Sequence, residues 1–265
     1  MPCRRSISTL GCPDLSLAQI LELAKRFQLD GIELRALAGM IDLPAMLDGS
    51  FASFGDFATS IATAMVPIVS FDTSLRLADS TSADREAFLQ YAPWAEAAGT
   101  RWLRVFDGGK TADAPTLHSM AKTVAWWRTE RQKRGWRVDM IVETHDSLLK
   151  ASAMRDFLTL VPDTALLWDS HHTWRQGKED PLVTWRACSS HIVHIHVKDS
   201  LDQPSGDRPF TYVLPGAGSF PMKPLRETRD REFDGVVSLE WERLWHPYLP
   251  PLEDALVAAS HCRWW

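Results

Sequence analysis

HIVHIHVKDS, residues 191 to 200, is the stretch whose reading decides the fold. Successive side chains of a β-strand alternate between its faces, so His194, His196 and Lys198 share one face while Val193, Ile195 and Val197 share the other. A β-branched apolar face is what a barrel strand presents to an outer helix. The polar face would then look inward, with His196 near the C-terminal end of the strand, where barrels of parallel strands keep their chemistry.

Working outward, seven further apolar runs recur along the chain. With this one, they centre on Ile7, Ile32, Ile68, Leu103, Ile141, Leu167, Ile195 and Val237, at intervals of 25 to 42 residues. Each interval holds a strand, a helix and two loops, which predicts βαβ units and a parallel sheet. Eight such units in 265 residues predict an α/β fold, a single (β/α)8 TIM barrel spanning 1–265 as one domain.

The helical spacing of Leu17, Ile20, Leu21, Ala24 and Phe27 predicts a first helix, capped by Asp14 or Ser16 and ending before Asp30-Gly31. Further helices are predicted from Ser82 to Ala98, Thr116 to Arg134 with Gly135 as the stop, Ser147 to Leu160, Pro181 to Cys188 and Pro250 to Ser260. Leu43 to Ala64 is a mixed segment rich in Phe and Ala. Asp199 to Pro224, rich in Pro and Gly, reads as a long loop serving as a lid or wall of a site.

Composition narrows the function classes. A net charge of −5 offers no basic face to gather phosphate backbones, so nucleic acid is not the expected partner. The four cysteines, Cys3, Cys12, Cys188 and Cys262, form no CxxC pair, which points to a reducing compartment. The N-terminal MPCRRSISTLGCPD is basic without an apolar signal core, and no run is long enough to span a bilayer, so a cytoplasmic protein is expected. Most of the twelve tryptophans should pack helices against the sheet.

Four consecutive strands carry a metal-type donor at or near their ends. Glu143 closes VDMIVE, Asp169 closes ALLWD, His196 lies near the end of IVHIHV, and Glu240 closes GVVSLE. Three carboxylates converging on one barrel mouth repel one another and lose hydration unless a cation neutralises them, which argues for a divalent metal. An oxygen-rich set with one imidazole suits Mn²⁺ first, and also Mg²⁺, Co²⁺ or Zn²⁺.

On IVETH (141–145), WDSHH (168–172), HIHVKD (194–199), PGAGSF (215–220) and SLEWE (238–242), the chain resembles the xylose isomerase-like barrels. These include sugar epimerases, hydroxypyruvate isomerases, inosose dehydratases and endonuclease IV. The resemblance implies one divalent metal ion held by Glu143, Asp169, His196 and Glu240, with His172 as the histidine of a DxxH motif. It also implies proton transfer next to the carbonyl of a sugar or related polyhydroxy compound, with Glu143 and Glu240 as the acid/base pair. His172 would touch a substrate oxygen or the metal's surroundings, and Lys198 would stabilise a developing oxyanion. An isomerase or epimerase is the first expectation. A dehydratase of the inosose or 3-dehydroshikimate type is the alternative, and a non-catalytic barrel a more distant one. Endonuclease IV adds histidines after strands three and four, where IVSFDTS and LRVFDGG have none, so a nuclease is not expected.

The remaining candidates are substrate contacts. His145 and Glu242 each lie two residues beyond a proposed ligand, and Asp72, Arg104 and Asp107 suit hydroxyls or a carboxylate on a small molecule. Trp174 and Trp245 could stack on a substrate or pack helices, and Glu33 reads equally as a pocket residue or a rim ion pair. His194 is expected to be a hydrogen-bonded interior residue. GAG within LPGAGSF reads either as a phosphate-cradling turn or as a plain tight turn. A homodimer or tetramer is left open.

Overall fold

In the computed structural model, which describes residues 3–206 and 208–264, the polypeptide forms one closed parallel barrel. Its strands are β1 (Arg4–Ser8), β2 (Gly31–Leu34), β3 (Ile68–Arg76), β4 (Trp102–Phe106), β5 (Asp139–Glu143), β6 (Ala165–Asp169), β7 (Ile192–Val197) and β10 (Val236–Leu239). Between the last two, β8 (Asp199–Leu201) and β9 (Thr211–Val213) make an antiparallel hairpin outside the barrel. Each strand pairs with its predecessor in the barrel, and β10 closes the ring on β1. All eight predicted strand centres lie in these strands, so the fold is a (β/α)8 TIM barrel.

The outer helices are α1 (Leu17–Arg26), α2 (Leu43–Ser50), α3 (Phe54–Ala64), α4 (Ser82–Leu89), α5 (Tyr91–Ala97), α6 (Ala114–Arg134), α7 (Ala151–Leu160), α8 (Ser170–Arg175), α9 (Pro181–Cys188), α10 (Met222–Glu232) and α11 (Leu252–His261). Ser16, rather than Asp14, caps α1, through a capping box with Gln19. Gly135, at φ 67°, ends α6 in the left-handed conformation that glycine adopts without strain.

Three predicted elements differ. The helix expected from Ser82 to Ala98 is two, α4 and α5, joined at Gln90. Pro93 has no N–H to donate, and its ring would collide with the carbonyl four residues back in a continuous helix. The segment after Ser147 becomes helical only at Ala151, because the N–H groups of Asp146, Ser147 and Leu148 are held by the Asp107 carboxylate. Within 199–224 the chain forms the β8–β9 hairpin and then begins α10, so this segment is a built wall.

Register sets the level of the polar residues inside the barrel. Asp169 pairs with His196, and His196 with Ser238, so these side chains start from one layer. Glu143 ends β5 and Glu240 immediately follows β10. The apolar faces meet the helices: Trp127 of α6 is fully buried, donates to Asp139 Oδ1 at 3.0 Å and stacks on Trp136 at 5.8 Å.

Candidate metal and substrate site

The strand ends bring Glu143, Asp169, His196 and Glu240 together at the C-terminal mouth. One donor atom from each lies within 4.8 Å of all the others. His196 Nδ1 is 3.8 Å from Glu143 Oε1, 4.0 Å from Asp169 Oδ2 and 3.3 Å from Glu240 Oε2. Its other nitrogen, Nε2, is 2.9 Å from Glu33 Oε2. In the neutral ring that a metal would require, this acceptor carboxylate keeps the proton on Nε2 and turns the Nδ1 lone pair toward the three acids. His196 Nδ1 is buried and makes no hydrogen bond among the described residues. A buried polar atom left unpaired costs about 1–3 kcal/mol, and a divalent cation would satisfy it together with the three carboxylates. The donor set therefore fits a metal.

Electrostatics of the metal-free site point the same way. Burial disfavours a charged His196, but the carboxylates of Glu240 and Glu33 outweigh it and hold the imidazolium well above its usual range. Burial raises Glu143 to about 7 against the opposing charge of Arg104. Burial also raises Asp169, with Lys198 opposing. For Glu240 burial is overcome by His196 and Lys198, which keep it well below the usual carboxylate range. Protons and one lysine thus stand where a cation would act.

That lysine is Lys198. Its Nζ is 2.8 Å from Asp169 Oδ2, 2.7 Å from Glu242 Oε1, and bonded to Glu240 Oε2. It is almost fully buried beneath the cavity mouth, so it meets the carboxylates directly.

The cavity above the cluster measures about 290 Å³ and is lined by Leu10, Arg35, Arg104, Phe106, Glu143, His145, His172, Arg208, Glu240, Glu242 and Trp245. His172 Nδ1 lies 3.1 Å from Asp169 Oδ2, and its ring edge meets His145 at 4.7 Å. Burial and the charge of Lys198 keep His172 neutral. His145 pairs with Asp146 at 3.0 Å; against the effect of burial, that hydrogen bond and the Glu143 charge raise it to about 9. Arg104 Nε is 3.1 Å from Glu143 Oε2 and its Nη2 3.6 Å from Asp72 Oδ2.

Four residues or turns weighed as contacts fall elsewhere. Trp174 does not line this cavity; it packs on Phe220 at 5.4 Å with Arg175 over its ring at 4.2 Å, the helix-packing alternative. Asp107 accepts the backbone N–H groups of Gly108, Asp146, Ser147 and Leu148, so it anchors the loop after β5. The GAG turn is no phosphate cradle: Gly216, Gly218 and Phe220 donate their N–H groups to the Asp199 carboxylate, as does Ser200. A Cβ at Gly218 would collide with that carboxylate, which explains the glycine. Glu33 is fully buried and far from any rim ion pair; its partners are His196 and, at 3.6 Å, His194, whose Nε2 also meets Ser238 Oγ at 2.7 Å.

A family profile described as "xylose isomerase-like TIM barrel" matches residues 21–264. The chain belongs to the xylose isomerase-like TIM barrel family. A comparison with curated proteins returned no match. Among solved structures, the probable 3-DHS dehydratase AsbF from Bacillus anthracis superposes with a TM-score of 0.77 at 17% identity, covering 98% of both chains. The IolI protein, solved with a bound zinc atom, gives 0.74 at 19% identity, over 97% of this chain and 95% of that one. A family 2 AP endonuclease from Brucella melitensis gives 0.66 at 13% identity, over 98% of both. At these identities the likeness is one of fold. Family members are enzymes of several kinds, and the site must carry the choice among them.

Sequence reasoning missed Arg35 and Arg208 as cavity residues. Arg35 directly follows β2 and Arg208 lies between β8 and β9, so neither belongs to a strand whose period would aim it inward.

Proposed function

We propose that this protein is a divalent-metal-dependent isomerase or epimerase that moves a proton next to the carbonyl of a sugar or related polyhydroxy compound. The observation that carries this is the convergence of three carboxylates on the unpartnered Nδ1 of His196 under an open cavity. Glu143, Asp169, His196 and Glu240 would hold the ion, Mn²⁺ by preference, with Mg²⁺, Co²⁺ or Zn²⁺ also suited to the donors. When bound, such an ion polarises a substrate carbonyl and stabilises developing negative charge on its oxygen.

The chain's own groups do the rest. Glu143 and Glu240 both face the cavity, so one takes the proton from carbon and the other returns it. Arg104 pairs with Glu143 and orients its carboxylate. Lys198 keeps Glu240 ionised, and His172 and His145 offer ring nitrogens to substrate hydroxyls. Strand ends three and four supply no histidines for a nuclease-type cluster, and the net charge of −5 disfavours DNA.

The test is C–H exchange. Mn²⁺-loaded protein incubated with ketoses and inososes in deuterated water should incorporate deuterium beside the carbonyl, and Glu143→Gln or Glu240→Gln should abolish incorporation. Exchange retained in both variants would remove the acid/base assignment. Loss of water with a new enone absorbance would identify the dehydratase alternative instead. Protein that binds no divalent ion would overturn the reading as a whole.

A further inference from the structure

Arg35 stands apart from every other buried cation. Among the described residues Arg35, Arg104, Arg175, Lys198 and Arg229 are buried arginines or lysines. Arg104 pairs with Glu143 and Asp72, Arg175 with Asp202, Arg229 with Asp230, and Lys198 with Asp169, Glu240 and Glu242. Arg35, only 5% exposed, has no carboxylate within 4.0 Å among the described residues. Its Nη1 is buried without a hydrogen-bond partner among the described residues, and its Nη2 reaches a neutral group, Ser74 Oγ, at 3.1 Å.

The position is built. The N–H groups of Arg35 and Ala36 both donate to Thr9 Oγ1, at 2.8 and 3.0 Å, which fastens the chain after β2 to the turn after β1. Ser74 holds the guanidinium from β3 on the other side. A charge buried without a partner is costly, so a cation fixed this way over a cavity calls for an anion from outside. The guanidinium fork matches a carboxylate in charge and geometry.

Taking the proposed metal site as given, we propose that Arg35 binds the carboxylate of the substrate, which is a polyhydroxy acid. A carboxylate is favoured over a phosphate because the one glycine-rich turn suggestive of a phosphate cradle spends its N–H groups on Asp199. Arg104, which the sequence offered for such a role, is already committed to Glu143 and Asp72.

The test uses Mn²⁺-loaded full-length protein and matched probes: gluconate with glucitol, shikimate with methyl shikimate, and glycerate with glycerol, plus ribose 5-phosphate. In the parent protein at least one acid should bind about tenfold more tightly than its neutral partner. In Arg35→Gln that preference should fall to within about twofold, with Mn²⁺ affinity unchanged, while Arg35→Lys should keep part of it. Should Arg35→Gln not fold, Ser74→Ala, which frees Nη2, should weaken the preference several-fold. No acid bound better than its neutral partner, or a preference that survives Arg35→Gln, would overturn the proposal; survival would place the carboxylate on the metal or on Arg208, which lines the same cavity. Tighter, Arg35-dependent binding of ribose 5-phosphate would overturn the choice of carboxylate. Deuterium exchange on a neutral sugar without acid preference would sink this inference and leave the proposed function standing, whereas Arg35-dependent acid binding without exchange would do the reverse.

Discussion

If His196 ligates a metal as proposed, Glu33 sets the nitrogen it offers, and replacing Glu33 isolates that effect. Glu33 Oε2 accepts from His196 Nε2 at 2.9 Å in a site closed to solvent, so once the ring is neutral the proton stays on Nε2 and Nδ1 is bare toward Glu143, Asp169 and Glu240. Glu33→Gln keeps an oxygen acceptor but loses the charge; Glu33→Leu loses both. Carboxylates placed behind a ligating histidine are typically worth about 10–100-fold in metal affinity, or about 1.4–2.8 kcal/mol. Gln should fall near the lower figure, since its carbonyl oxygen can still accept from Nε2–H, and Leu near the upper, since the ring is then free to present the wrong tautomer. Mn²⁺ titration by calorimetry at fixed pH, with circular dichroism to check the fold, measures both. Affinity within about twofold of the parent in both variants would refute the positioning role. A loss far beyond 100-fold in Gln would show Glu33 itself to be a ligand, in the alternative grouping with His194 and His196.

Lys198→Met removes the cation that offsets Asp169, Glu240 and Glu242, and should destabilise the metal-free protein by about 3–5 kcal/mol. Mn²⁺ should then raise its melting temperature more than it raises the parent's; an equal rise would count against Lys198 as a stand-in for the ion. Metal affinity should climb with pH. His196, raised by Glu240 and Glu33 against burial, must give up its proton to ligate, and so must Glu143 below pH about 7. Proton release measured in buffers of different ionisation enthalpy should fall from about two toward one per metal as pH passes 7; no release at pH 6 would contradict the site. In the metal-free protein the His196 imidazolium stabilises fully below the ordinary value of 6.5, and that contribution is lost as pH rises through the raised one. Asp199→Ala should free the N–H groups of Ser200, Gly216, Gly218 and Phe220, at about 1–3 kcal/mol for each one left buried. Faster proteolytic cleavage within 214–220 would register it, and unchanged cleavage would argue against the clamp.

The barrel was legible because short apolar or β-branched runs recur at a spacing that leaves room for a helix and two loops, and all eight such runs are strands. The four cluster residues were legible for a related reason: each ends or nearly ends a strand, so period and position alone aim it at the mouth. Helix ends were less so. The break at Gln90 follows from Pro93 and could have been read locally, whereas the late start of α7 depends on Asp107, roughly forty residues away in sequence. Glu33 lay on a readable strand, GIEL, yet its partner His196 is 163 residues distant and meets it only across the barrel interior.

Arg35 shows why the remaining part of the site needed coordinates. What distinguishes it is a missing neighbour, and a missing neighbour leaves no trace in spacing or composition. The cavity and the cluster beneath it hold Glu33, Asp72, Glu143, Asp169, Glu240 and Glu242 against Arg35, Arg104, Lys198 and Arg208, so carboxylates outnumber the arginines and lysines and charge alone would have Arg35 take one of them. It does not, because Thr9 fixes its backbone and Ser74 its guanidinium. The fold thereby keeps a surplus of carboxylate and a guanidinium unpaired among the described residues in one cavity without letting them neutralise each other. A cation would complete the first and an anion the second. A ligand whose oxygens reach a metal while its carboxylate reaches Arg35 would satisfy both at once, and its reacting carbon would then lie between the two anchors, within reach of Glu143 and Glu240.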